Sequence, residues 1–245
     1  MFSRGIAANK ICPKIGWCRP IKGTIKTCAV SVFHINMKII GPQLSPLLTP
    51  VHIFWDNSNI YIPSQFVANK REGGLAGKEI RIYFQNLYAL ARAGRPVRRA
   101  VCAGSVPPEL QQIWQRLENT GVTPELYERG AGSRAEQGVD QCLQVHMLRA
   151  LTDFDPGTVV LLTGDGAGYE TGIGFHADLE RMYHGGWGVE VLSWGCACNR
   201  RLKLWAQQTG AYIELERYYE SVTYRKGIRY AKPLTMTHRQ FAKPR

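Results

Sequence analysis

The chain predicts an α/β fold: a three-layer α/β/α sandwich built on a mostly parallel sheet. Three observations lead there. Apolar, β-rich runs at 51–56, 97–103, 123–128, 158–164, 188–194 and 211–215 alternate with helical stretches at about 75–94, 107–120, 136–152, 172–186 and 199–209. Such alternation makes βαβ units, whose right-handed crossovers set helices on both faces of a sheet. The helical stretches also carry boundary signals: Pro107-Pro108-Glu109 opens one, and Gly94, Gly121 and Gly210 stand where others should stop. Finally, 245 residues at 44% hydrophobic suit one substantial core with some chain left over.

Taken in order, residues 1–50 lack helical or strand periodicity and are punctuated by Pro13, Pro20, Pro42, Pro46 and Pro50. They read as a basic, largely irregular extension with a short strand near 28–35. Their acid-free composition has the character of a transit peptide, and a start at Met37 is the competing reading. A domain over 51–216 follows, and 217–245 reads as a basic C-terminal tail. The first strand, His52-Ile-Phe-Trp-Asp56, runs into Asn57-Ser58-Asn59, a polar run that reads as a turn. The helix near 136–152 is amphipathic through Val139, Leu143, Met147 and Leu151, with Asp140 near its start. The apolar strand Val159–Leu162 hands over to Thr163-Gly164-Asp165, and His184-Gly-Gly-Trp-Gly188 closes a helix and feeds the next strand.

The net charge of +12 is unevenly placed. Residues 1–50 and 225–245 hold seven Lys/Arg each and no acid, which leaves 17 basic against 19 acidic residues between them. Basic ends on a near-neutral body suit a phosphate polymer as partner. The seven cysteines form no zinc framework, and their odd number predicts reduced thiols in a cytoplasmic setting. Cys196-Ala-Cys198, read on a strand, would put both thiols on one face. The apolar stretch 28–35 is too short to span a bilayer, so no membrane segment is expected. A homo-oligomer is left open.

Asp56, Asp140 and Asp165 each lie where a strand hands over to a helix or near a helix start. In an α/β sheet such positions converge at the carboxyl edge. Clustered carboxylates repel unless a divalent cation holds them, and oxygen ligands suit Mg2+ or Mn2+. Taken singly, each aspartate is explained as a turn or cap. The glycine-rich loop after Asp165 is neither a dinucleotide fingerprint nor a Walker loop, so nucleotide hydrolysis ranks low. A nucleophilic aspartate with a second acid two residues on, as a phosphatase would need, is absent from Asp56-Asn-Ser58.

The ordered set Asp56-Asn57-Ser58-Asn59, Gly138-Val139-Asp140 and Thr163-Gly164-Asp165 resembles the NYN domain family of PIN-like ribonucleases, including its LabA-like members. The resemblance covers about Val51 to Glu216. It implies a PIN-like fold and a metal-dependent ribonuclease acting on single-stranded RNA. Asp56, Asp140 and Asp165 would be the catalytic, metal-binding carboxylates, with Asn57, Asn59 and Thr163 in support. Two positions depart from the pattern: His146 stands where another aspartate is frequent, and Gly164-Asp-Gly-Ala-Gly-Tyr-Glu170 replaces Gly-Asp-x-Asp-Phe. Glu170 or Asp178 is the expected replacement carboxylate. If neither serves, the alternative is an RNA-binding or regulatory module on the same scaffold.

For RNA contact the sequence offers Arg134, ahead of the Asp140 helix, and a disordered arm holding Arg225, Lys226 and Arg229. Arg98-Arg99, Arg129, Arg200-Arg201 and Lys203 could line a phosphate path, and Tyr61, Tyr127 and Tyr169 could stack on bases, although most such residues are ordinary solvated or half-buried positions. His146 and His176 read as packed residues outside the catalytic set.

Overall fold

The computed structural model describes residues 49–105, 111–127 and 138–242. The N-terminal extension, the Pro107-Pro108-Glu109 helix start, Arg129, Arg134 and Glu136 lie outside the described residues.

Strands β1 (Val51–Asp56), β3 (Val97–Ser105), β4 (Thr123–Tyr127), β5 (Thr158–Leu162), β6 (Gly188–Ser193) and β7 (Ala211–Glu214) form one sheet in the order β4-β3-β1-β5-β6-β7. Every pairing in it is parallel. The helices are α1 (Asn57–Glu72), α2 (Ala76–Glu79), α3 (Phe84–Arg92), α4 (Gln111–Glu118), α5 (Val139–Asp153), α6 (Gly174–His184), α7 (Arg200–Thr209) and α8 (Tyr219–Val222). The alternation of side chains along each strand separates two cores. Val51, Ile53, Trp55, Val160, Leu162 and Leu192 join one cluster with residues of α1, α3 and α4. Phe54, Val159, Leu161, Val189 and Val191 join the other, with residues of α5, α6 and α7. This is the three-layer sandwich expected, and its strands read as unbroken apolar runs because both faces are covered.

The chain builds outward from β1 to β4, then crosses back through α5 to place β5 on the other side of β1. The two strands flanking that reversal, β1 and β5, end side by side, the position where doubly wound sheets bind ligands.

Three elements differ from the sequence expectation. The run after Asp56 is not only a turn but the start of the 16-residue α1, whose buried Ile60, Pro63, Ser64, Val67 and Ala68 keep helical spacing. Pro63 inside it, together with the turn-forming start, masks the pattern. The helix expected at 75–94 divides into α2, β2 (Ile80–Ile82) and α3. Ile80-Arg81-Ile82 alternates buried, exposed, buried, and it pairs antiparallel with β8 (Thr223–Arg225), a partner too distant in sequence for local periodicity to reveal. Cys196 and Cys198 lie in a turn after β6 rather than on a strand.

The expected C-terminal tail is instead part of the packed body. Arg225 pairs with Glu72 and Glu79, and Arg229 pairs with Glu72. Further on, Arg239 reaches the interior, where the fully buried Glu190 of β6 receives Arg95 Nη1 at 2.7 Å, Arg95 Nη2 at 2.8 Å, Arg239 Nη2 at 2.5 Å and the Ala242 amide at 3.0 Å. The arm expected to be disordered is ordered because its arginines answer acids of α1, α2 and β6. Among the described residues, no helix is long and apolar enough to cross a membrane.

Candidate active site

Asp56 ends β1 at 1% exposure and serves as the N-cap of α1. Its Oδ1 accepts the Asn59 backbone amide at 3.1 Å and its Oδ2 accepts Asn59 Nδ2 at 2.5 Å. A carboxylate this deeply buried is sustained by such bonds and by the positive end of the helix. Its charge reaches Cys102, whose thiol is pushed well above its ordinary range, mainly by burial and further by Asp56. By strand alternation Asp56 shares the face of Phe54, which packs in the same core as α5.

Asp140 occupies the first turn of α5, behind Gly138 at φ +80°. Only glycine suits that left-handed backbone, and a Cβ there would also lie 3.2 Å from the Tyr127 ring. The same helix packs against β1 and β3, and its start lies against Tyr127 at the carboxyl end of β4.

Asp165 follows β5, next to β1. Its amide donates to Thr163 Oγ1 at 3.2 Å and its Oδ1 accepts the Ala167 amide at 2.9 Å, so the carboxylate is held by its own loop. Gly164 between them passes so close to the loop after β6 that a Cβ would meet the Ala197 carbonyl at 2.7 Å, and its own carbonyl accepts the Asn199 amide at 2.8 Å. Near these strand ends Asn57 Oδ1 is buried with no hydrogen-bond partner in the protein.

The topology therefore brings Asp56 and Asp165 to neighbouring strand ends and directs the Asp140 helix over the same face. The tightest set of ligand-type side chains among the described residues is nevertheless elsewhere: Glu125, Cys142 and His146, whose ligand atoms lie within 4.8 Å of one another. The three aspartates are not found as such a set. Glu170 sits in a 3-10 turn (Tyr169–Thr171), where its carboxylate bonds Arg201. Asp178, the other expected replacement, is buried in α6, bonded at 2.7 Å to Arg181, and burial raises its pKa.

A cavity of about 990 Å³ begins at Gly166, one residue beyond Asp165. Tyr169, Glu170, His176, Arg201 and Trp205 line it. Tyr169 stacks on His176 at 4.1 Å, Trp205 lies 5.1 Å from the same imidazole, and the Arg201 guanidinium sits 5.1 Å from the Tyr169 ring centre. His176 is 1% exposed with neither ring nitrogen hydrogen-bonded, and burial lowers its pKa, which keeps it neutral. Arg201 and Tyr169 were candidates from sequence. Trp205 was not, since a tryptophan in an amphipathic helix carries no local sign that it borders a cavity.

A family model for the NYN domain matches residues 50–207. The chain belongs to the NYN domain family. NYN domains are PIN-like nucleases, and the six-stranded parallel sheet with helices on both faces is the three-layer architecture expected of one. A solved structure of a protein of unknown function from Vibrio parahaemolyticus RIMD 2210633 has the same fold, with a TM-score of 0.52 and 18% identity over 70% of this chain and 95% of that one. No curated protein matches the chain. The NYN match spans Asp56, Asp140 and Asp165 and stops before Arg225.

Proposed function

We propose that this NYN domain is a metal-dependent ribonuclease that cleaves single-stranded RNA at the carboxyl edge of its sheet. The observation that carries the reading is that Asp56 ends β1 and Asp165 follows the adjacent β5 at the chain reversal, with Asp140 at the start of the crossover helix.

The donor set fits a hard divalent cation, because Asp56, Asp140, Asp165 and the Thr163 hydroxyl offer only oxygen. Mg2+ and Mn2+ keep several waters and need few protein carboxylates. When bound, the ion lowers the pKa of a water and stabilises the departing oxygen. The chain's own part is to hold the carboxylates: Asn59 orients Asp56, and the Ala167 amide orients Asp165. The cavity beyond Gly166 supplies an RNA path, with Arg201 for phosphate and Tyr169 and Trp205 for bases. Arg225 and Arg229 are given a structural role by their ion pairs, while the exposed Lys226 stays available to phosphate. The unpaired thiols of Cys102, Cys142, Cys196 and Cys198 fit a reducing compartment.

One observation favours the competing reading of an RNA-binding module without turnover: Glu170, the expected fourth acid, is tied to Arg201. Incubation of a labelled single-stranded RNA with Mn2+, Mg2+ or chelator separates the two. Cleavage that needs the metal and disappears in Asp165→Asn supports the nuclease; RNA binding with no cleavage under any metal supports the module.

A further inference from the structure

We propose that Glu125, Cys142 and His146 form a binding site for a divalent transition-metal ion of the zinc class. Its mixed sulfur, nitrogen and oxygen donors differ from the all-oxygen set of the three aspartates.

Two periodicities build it. On β4, Glu125 and Tyr127 are two residues apart and therefore face the same way. On α5, Cys142 and His146 are four apart and share one helical stripe. Because α5 packs across β3 and β4, the strand face and the helix stripe meet. The carboxylate, thiol and imidazole offer three ligand atoms within 4.8 Å of one another, and His146 Nε2 lies 3.4 Å from Glu125 Oε1. All three residues are half-buried, so an ion can enter and still be shielded.

The donor chemistry selects the metal. A thiolate and an imidazole are soft and borderline ligands that Mg2+ and Ca2+ do not favour, whereas Zn2+ takes sulfur, nitrogen and carboxylate oxygen together in a tetrahedron. One thiolate and one carboxylate match the charge of a divalent ion. Three protein ligands leave a fourth position for water. Tyr127 hydrogen-bonds Cys142 from the side, the outer contact that fixes a ligand's direction. His146 Nδ1 is buried with no hydrogen-bond partner in the protein, and Nε2 faces Glu125. An ion here would tie the edge strand to the helix that begins with Asp140, two residues from Cys142.

The sequence conceals such a site. Its ligands come from a strand and a helix separated by 128–138, and no paired cysteine spacing announces them.

The test is a Co2+ titration of the full-length, metal-stripped protein, read by absorbance, followed by displacement with Zn2+. One equivalent of Co2+ should give tetrahedral d–d bands and a thiolate charge-transfer band, both abolished by Zn2+. Cys142→Ser should lose the charge-transfer band, and Glu125→Gln, a conservative change at a half-buried position, should bind about 100-fold more weakly or worse. Asp56→Asn should give the wild-type cobalt spectrum, which keeps this outcome independent of the nuclease reading. Absence of tetrahedral bands in the wild type, an unchanged charge-transfer band in Cys142→Ser, or an unchanged Co2+ affinity in Glu125→Gln overturns the proposal.

Discussion

Asn59 holds both oxygens of Asp56: its backbone amide binds Oδ1 and its side-chain amide binds Oδ2. One asparagine thus fixes the rotamer of a carboxylate that is 1% exposed, at the junction of β1 and α1. The turn-forming run in the sequence is accordingly a helix cap and a positioning device at once.

Removing the side-chain half of this grip separates positioning from folding. Asn59→Ala leaves the backbone amide on Oδ1, so stability measured by urea denaturation should fall by about 1.5–3 kcal/mol, the range for a hydrogen bond to a charged group. RNA cleavage under saturating Mn2+ should fall by roughly 10–100-fold, as for other outer-shell partners of metal ligands. An unchanged rate would deny Asn59 its orienting role.

His52 gives the protein an acid-sensitive core. Its ring lies edge-on between Phe154 and Trp187, both at 4.9 Å, and its Nδ1 has no hydrogen-bond partner in the protein. Burial, with the charges of Arg99 and Arg98, lowers its pKa to about 4. Because the unfolded value near 6.5 is higher, the unfolded chain binds the proton first as pH falls. The stability from neutral His52 is therefore complete above about pH 6.5 and is lost progressively toward pH 4, by roughly 3 kcal/mol in total. Denaturation midpoints at several pH values should show this slope in the wild type and a flatter one in His52→Phe; equal slopes would contradict the assignment.

The C-terminal segment should be required for folding. A chain ending at Glu216 loses Arg225 and Arg229, the partners of Glu72, and Arg239, a partner of Glu190. It also uncovers the β2 edge. In the full chain, Glu190→Ala would leave two buried guanidiniums uncompensated, at a cost of about 3–5 kcal/mol. Circular dichroism melts should show the truncated chain largely unfolded; a native-like melt would make 217–242 dispensable.

The cavity beyond Gly166 should bind RNA through stacking. Trp205→Ala is expected to weaken the affinity for a single-stranded oligonucleotide by about 1–3 kcal/mol, the worth of one stacked base. Fluorescence anisotropy at fixed salt reads this directly, and a variant with wild-type affinity would move the RNA path elsewhere.

The sandwich was legible because its signal is local: buried parallel strands read as apolar runs, and the helices between them carry glycine stops. The family resemblance was legible through the order of the Asp56, Asp140 and Asp165 motifs. What stayed hidden depends on distant partners. Ile80–Ile82 is a strand only because Thr223–Arg225 pairs with it, and Arg239 is interior only because Glu190 awaits it in β6. A basic, acid-free terminus looks solvated when its acids lie far upstream in sequence. The Glu125, Cys142 and His146 cluster was invisible for the same reason, since the packing of α5 on β4 makes it.

The most direct test of the account is whether the three aspartates act as one centre. Single-turnover cleavage of a labelled single-stranded RNA would be measured with saturating Mn2+ for the wild type, Asp56→Asn, Asp140→Asn, Asp165→Asn and the triple variant. Groups that work as a unit are grossly non-additive, so each single change should cost nearly as much as all three together. A single variant that keeps the wild-type rate, or losses that multiply toward the triple variant, would contradict a shared catalytic site.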